Sequence, residues 1–233
     1  MTRPRIALLG RFSEKAQGIR SRGVVISINL LDYIWAGGGE PVTLLPMDTP
    51  EGLDWSERLK GIDGVCMPGG ADLDPALYGE PSDDSVYGVN STQDTADISL
   101  INFCIDNGIP LLTICRGTQA LNIARGGSLV VDMDDRHSMH PHTVDLAGAS
   151  ELGVGTAPIA VHCNHHQALS RLGDGLQVIA NSVDGIVEAV SLDAKAWTIG
   201  LQWHPEDTFR EDPRQTELLA PFIAAAAART KQS

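Results

Sequence analysis

The chain has 233 residues, 42% of them hydrophobic and 20% charged. That is enough apolar material for a sizeable core, and the balance excludes a disordered chain. Seventeen Lys and Arg against 30 Asp and Glu give a formal net charge of -13, a surface that repels phosphate backbones and anionic lipids and so argues against nucleic-acid or membrane partners.

Arg5 to Leu9 is expected as a strand, its apolar run too short for a secretory signal. Val24, Ile28, Leu31 and Trp35 follow helical spacing, and Gly37-Gly38-Gly39 stops that helix. Pro41 to Leu45 reads as a strand, Leu53 to Leu59 as a short helix, and Ile62 to Met67 as a strand ending at Pro68-Gly69-Gly70. Ala96 to Ile105 is helical, with Asn107-Gly108 as its stop. Ile109 to Ile114 is a strand, Cys115 stands at the turn, and Thr118 to Arg125 is a helix stopped by Gly126-Gly127. This alternation predicts a parallel sheet with helices on both faces. After residue 128 the pattern changes to short strands: Thr143 to Leu146, Ile159 to Cys163, Leu176 to Ala180, Ile186 to Leu192 and Trp197 to Trp203. These are expected to add antiparallel strands, before a closing helix over Leu218 to Arg229. No run approaches the length of a membrane span, and no repeat or linker interrupts the chain, so one domain over residues 1–233 is expected.

The chemistry is expected at Cys115. A thiol at a strand-to-helix elbow is held out of the core and faces the positive end of a helix, which favours thiolate. Cys66, Cys104, Cys115 and Cys163 form no Cys-x-x-Cys pair, so neither a zinc site nor a redox dithiol is indicated, and a reduced, cytoplasmic protein is expected. His204, delivered by the last strand, is the candidate base. Glu206, two residues on, is placed to fix its tautomer and stabilise the imidazolium. An N–H from Gly69 or Gly70, with that of Arg116, would form an oxyanion hole.

Other groups read less sharply. His137, His140 and His142 lie in a polar stretch without a carboxylate or cysteine at ligand spacing, and a solvated loop is expected there rather than a metal site. His165-His166-Gln167 is placed either to line a pocket or to cap the next element. Asp72-Leu73-Asp74-Pro75 suits a turn better than a cation loop.

Four blocks resemble the class I glutamine amidotransferase superfamily and, within it, the gamma-glutamyl-gamma-aminobutyrate hydrolase-like branch (peptidase family C26). They are the run from Met67-Pro68-Gly69-Gly70 through Asp74-Pro75-Ala76-Leu77-Tyr78-Gly79-Glu80; Ile114-Cys115-Arg116-Gly117 with Gln119, Asn122 and Gly126-Gly127-Ser128-Leu129; His165-His166-Gln167; and Gly200-Leu201-Gln202-Trp203-His204-Pro205-Glu206. The resemblance implies a three-layer α/β sandwich of flavodoxin-like type around a mostly parallel sheet. It implies a Cys115–His204–Glu206 triad, oxyanion donors at Gly70 and Arg116, and substrate contacts at Gly69, Gln119, His165 and His166. It implies neither metal nor organic cofactor. The activity it implies is hydrolysis of gamma-glutamyl amides through a thioester. The alternative common on this fold is a glutaminase that feeds ammonia to a separate synthase partner. A homodimer is a common outcome for such enzymes. Two departures stand out: Thr113 precedes the Ile-Cys elbow where many members have glycine, and Val161 to His166 differs from the branch's usual sequence before its histidine pair.

Overall fold

The computed structural model describes residues 2–47, 54–133 and 137–230, apart from the side chains of residues 138–140. Among these residues, nine strands form one sheet in the order β4-β1-β5-β6-β13-β12-β11-β8-β9. Its first half is parallel: β1 (Arg5–Leu9) pairs with β4 (Glu40–Leu44) and β5 (Gly64–Met67), and β6 (Leu111–Ile114) lies between β5 and β13 (Thr198–Leu201). The second half is antiparallel, through β12 (Val187–Leu192), β11 (Leu176–Ser182), β8 (Ser138–Asp145) and β9 (Ile159–Asn164).

The parallel strands are apolar on both faces because helices cover both. Successive residues in a strand point to opposite sides. Ile6, Leu8, Cys66, Leu112 and Ile114 therefore meet α1 (Ile28–Ala36) and α7 (Leu219–Thr230) through Leu30, Tyr33, Ile34 and Phe222. Ala7, Leu9, Val65, Met67 and Leu111 meet α3 (Ser91–Asp106) and α4 (Arg116–Ala124) through Leu100, Ile101, Cys104, Ala120 and Leu121. This is the expected three-layer α/β arrangement with antiparallel strands added in the C-terminal half.

Several boundaries move. The first helix starts at Ile28 rather than Val24, because Gly23–Val25 (β3) pairs with Arg11–Ser13 (β2) in a small hairpin. The α3 helix starts five residues before Ala96, where the Asn90 side chain accepts from the Gln93 N–H and caps it. A four-residue helix, α2 (Trp55–Arg58), falls inside the span expected from Leu53 to Leu59; Leu53 itself lies outside the described residues. The β8 strand extends well ahead of Thr143, and a two-stranded ribbon joins β7 (Leu129–Val130) to β10 (Ala168–Leu169). No helix among the described residues is long and apolar enough to cross a membrane.

Candidate active site

Two central strands deliver the two key side chains to one rim. Ile114 of β6 pairs with Leu201 of β13, and both strands run in the same direction. Cys115 follows the first and His204 the second. The Cys115 N–H donates to the Leu201 carbonyl at 2.7 Å, which extends the ladder into the elbow itself. Cys115 has φ 49° and ψ -110°, and is the one non-glycine with positive φ among the described residues. Such a conformation costs on the order of 1–3 kcal/mol and persists only where its surroundings enforce it. Here the enforcement is tight, and the thiol is not held out of the core as expected: Cys115 is 5% exposed and packs with Ile114 and Leu201, because the elbow lies under the glycine loop. Gly117 follows because a methyl group there would sit 2.5 Å from the Met67 carbonyl. Thr113, the departure before the elbow, bonds Thr118 hydroxyl to hydroxyl at 3.0 Å, and both threonines fill the space that Gly200 leaves open.

His204 leads into the short helix α5 (Pro205–Thr208). Its own N–H donates to the His162 carbonyl at 2.9 Å. On the ring, Nδ1 donates to Glu206 Oε1 at 2.8 Å, which leaves Nε2 free to exchange a proton. Burial works against the imidazolium, but the carboxylate of Glu206 and the nearby Cys115 sulfur outweigh it and hold His204 well above its ordinary pKa. Gly69 packs against both groups. A methyl group there would lie 2.7 Å from His204 Cε1 and 3.6 Å from Cys115 Cβ. Gly69→Ala is therefore expected to displace the ring and lower kcat by about 10²-fold, the effect of a misplacement on the order of 1 Å. Its melting temperature should stay near wild type, which a paired activity and thermal-melt measurement checks.

Beside Cys115 lies a small cleft lined by Gly70, Asp72, Tyr87, Gln119 and the 164–167 segment. Gly70, Gln119, His165 and His166 thus line one cleft with Cys115. Arg116 N–H opens α4, where first-turn donors have no intrahelical acceptor. Gln119 Nε2 donates to the Gln167 carbonyl at 3.3 Å. His166 lines the cleft instead of capping an element, with Nε2 3.0 Å from Asp72 Oδ2 and Nδ1 3.3 Å from Asp132 Oδ1. His165 is different: its Nδ1 donates to the Gln167 carbonyl at 2.8 Å, and Nε2 turns toward Glu188.

Two features escape the sequence reading. The first is the scaffold under Pro68-Gly69-Gly70. Arg11 donates to the carbonyls of Pro68 and Gly69 and to both oxygens of Asp97. Arg116, expected to matter through its backbone, also reaches Asp97 and Asp94 with its side chain. Burial pushes both guanidinium groups down from their ordinary pKa, yet they begin so high that both remain cations at neutral pH. The second is a correction. His137 is buried and His142 lies on β8, so the solvated loop expected around them is wrong at these two positions. Both rings pack toward Glu188, a carboxylate from a distant strand. His140 lies among the residues whose side chains are not described.

The Asp72–Pro75 segment is the expected turn: Asp74 accepts from the Ala76 N–H and caps a short 3-10 helix over Pro75–Tyr78.

A cysteine elbow, a carboxylate-bound histidine and a glycine loop share one sheet rim, and with the family match they place the chain among hydrolases of the class I glutamine amidotransferase type, acting on amide bonds. The chain belongs to the Peptidase C26 family, whose model matches residues 6–206. It is 33% identical over 214 residues to a Mycobacterium tuberculosis protein provisionally named glutamine amidotransferase Rv2859c, covering 86% of this chain and 68% of that one. It is 30% identical over 215 residues to the gamma-glutamyl-gamma-aminobutyrate hydrolase PuuD of Escherichia coli K12, covering 84% of each. Among solved structures it resembles a Thermoplasma acidophilum protein provisionally described as a subunit of GMP synthase, with a TM-score of 0.69 and 18% identity over 99% of this chain and 97% of that one. That likeness is one of fold.

Proposed function

We propose that this chain, folded as one domain, hydrolyses gamma-glutamyl amides through a thioester on Cys115, with His204 as acid and base and Glu206 as its orienting carboxylate. The observation that carries the reading is the Glu206-bound imidazole facing Cys115 across Gly69. In this mechanism the Cys115 thiolate adds to the gamma-carbonyl carbon. The oxygen that becomes negative is received by the N–H groups of Gly70 and Arg116. His204 gives its proton to the departing amine, then takes one from the water that attacks the thioester. Glutamate and the amine leave, and the thiol is restored. Gln119 and His166 line the cleft beside the gamma-glutamyl group, and the edge of His165 closes its wall.

A relative named for gamma-glutamyl-gamma-aminobutyrate hydrolysis supports the substrate class. A relative whose name points to glutamine amidotransfer favours a second reading, a glutaminase that passes ammonia to a synthase partner. A screen of glutamine and several gamma-glutamyl amines, following glutamate release, separates them. The hydrolase reading expects at least one gamma-glutamyl amine to surpass glutamine. Turnover of glutamine alone, rising with an added synthase, would support the second.

The raised His204 pKa gives a signed pH prediction. The imidazolium is the acid that protonates the amine, so kcat falls as pH rises through the His204 value. Glu206→Gln removes the carboxylate that raises it, and the alkaline limb of the kcat profile should move to lower pH. An unmoved limb would take Glu206 out of this role.

A further inference from the structure

Outside the proposed triad, the antiparallel half of the sheet gathers a second set of donors that no step of amide hydrolysis uses. His137 precedes β8, Cys163 lies on β9, His165 follows it, and Glu188 comes from β12. All four are buried, and one ligand atom from each lies within 4.8 Å of the others. His137 Nδ1 is 3.1 Å from Glu188 Oε1, His165 Nε2 is 3.7 Å from the same oxygen, and Cys163 Sγ is 3.7 Å from Oε2. Tetrahedral ligands about 2.0 Å (nitrogen, oxygen) or 2.3 Å (sulfur) from a zinc ion are themselves roughly 3.3–3.5 Å apart. Around Glu188 Oε1 the contacts are 3.1 Å, 3.7 Å and, for Cys163 Sγ, 3.9 Å, so the donors would draw together from their 4.8 Å span to reach that spacing.

The ring orientations point the same way. His165 spends its Nδ1 proton on the Gln167 carbonyl. His137 turns Nε2 to Asp184, 3.3 Å from either oxygen. Each imidazole therefore has an outer acceptor holding its N–H, and each aims its other nitrogen at the cluster. Those inward atoms, His137 Nδ1 and His165 Nε2, approach the Glu188 carboxylate without forming an aligned hydrogen bond, although both side chains are at most 4% exposed. Outer acceptors that fix the tautomer of inward-facing histidines are what a metal site requires.

We propose that His137 Nδ1, Cys163 Sγ, His165 Nε2 and a Glu188 oxygen form a closed tetrahedral site for a zinc-class divalent cation. On binding, the Cys163 proton passes to solvent, and thiolate plus carboxylate balance the two positive charges. Four protein ligands leave no open position, so the ion is structural. It ties β8, β9 and β12 together behind the 164–167 wall of the cleft. The site stands independently of the amide-hydrolase reading.

The test uses the full chain, stripped with chelator and titrated with Co²⁺, then Zn²⁺. The site predicts uptake of about one Co²⁺ with tetrahedral visible bands and a thiolate-to-cobalt band. Zn²⁺ should displace it and raise the melting temperature. The thiolate band should survive Cys115→Ser and vanish in Cys163→Ser. Asp184→Asn, at a half-exposed outer acceptor, should weaken Zn²⁺ binding by about 10- to 100-fold. If Cys163→Ser fails to fold, the wild-type cobalt spectrum and Asp184→Asn decide. Absence of the thiolate band at saturating Co²⁺, its persistence in Cys163→Ser, or unchanged affinity in Asp184→Asn would overturn the site.

Discussion

Cys115→Ala is expected to lower kcat/KM for the best gamma-glutamyl substrate by about 10⁴-fold or more, the scale seen when a nucleophile that works as a unit with its base is removed. The protein should still fold, because the elbow is held by the backbone bond to Leu201 and by the close packing at Gly117 rather than by the sulfur. Rapid quenching of the wild type should trap a gamma-glutamyl adduct on the Cys115 peptide, read by mass spectrometry. An adduct on Cys163 instead would move the nucleophile to the other Cys/His/Glu set. Three features argue against that outcome. Cys163 is fully buried near the end of β9 whereas Cys115 keeps 5% exposure, its thiol is pushed far up by burial and then by Glu188, and no helix begins at it. Each of these disfavours a reactive thiolate.

Asp97→Asn is expected to destabilise the fold by about 3–5 kcal/mol, the scale for breaking a buried ion pair. The carboxylate is fully buried and receives Arg11 at 2.7 Å, Arg116, and the Gln93 amide at 2.9 Å. An amide in its place turns an NH₂ group toward a cation and leaves two buried guanidinium groups short of charge. For a chain of this size the loss corresponds to a melting temperature lower by on the order of 10 °C. Activity should fall further than stability alone explains at assay temperature, since Arg11 also holds the Pro68 and Gly69 carbonyls. An unchanged melt would mean that the network is solvated and not structural.

That network shows where the sequence becomes hard to read. The parallel strands announce themselves as short apolar runs bounded by glycine, because both of their faces are buried. The elbow is legible because Cys115 sits between such a run and a helix. Asp94 and Asp97, by contrast, look like the solvated face of a helix. They are inside only because Arg11 and Arg116, from separate elements, meet them there. The β2–β3 hairpin is hidden for the opposite reason: its strands are three residues each and only partly buried, so they carry no periodic signal. The histidine stretch misleads because its carboxylate, Glu188, is distant in sequence and antiparallel pairing does the joining. A local sign does exist. Cys163 and His165 are two residues apart in an extended segment, hence on one face, and both are buried. The 164–167 loop is legible only in part: His166 reaches the cleft, whereas His165 turns its free nitrogen away from it.

The Cys115–Leu201 hydrogen bond has a consequence for how the protein fails. β6 and β13 are the fourth and fifth of nine strands, so the bond lies at the middle of the sheet. Local fraying begins at edges and loops and rarely reaches such a position. The Cys115 amide should therefore be among the slowest to exchange with deuterium, and heat should not displace Cys115 before the whole sheet melts. Inactivation and unfolding are then one event, with no temperature window in which an intact shell carries a dismantled centre.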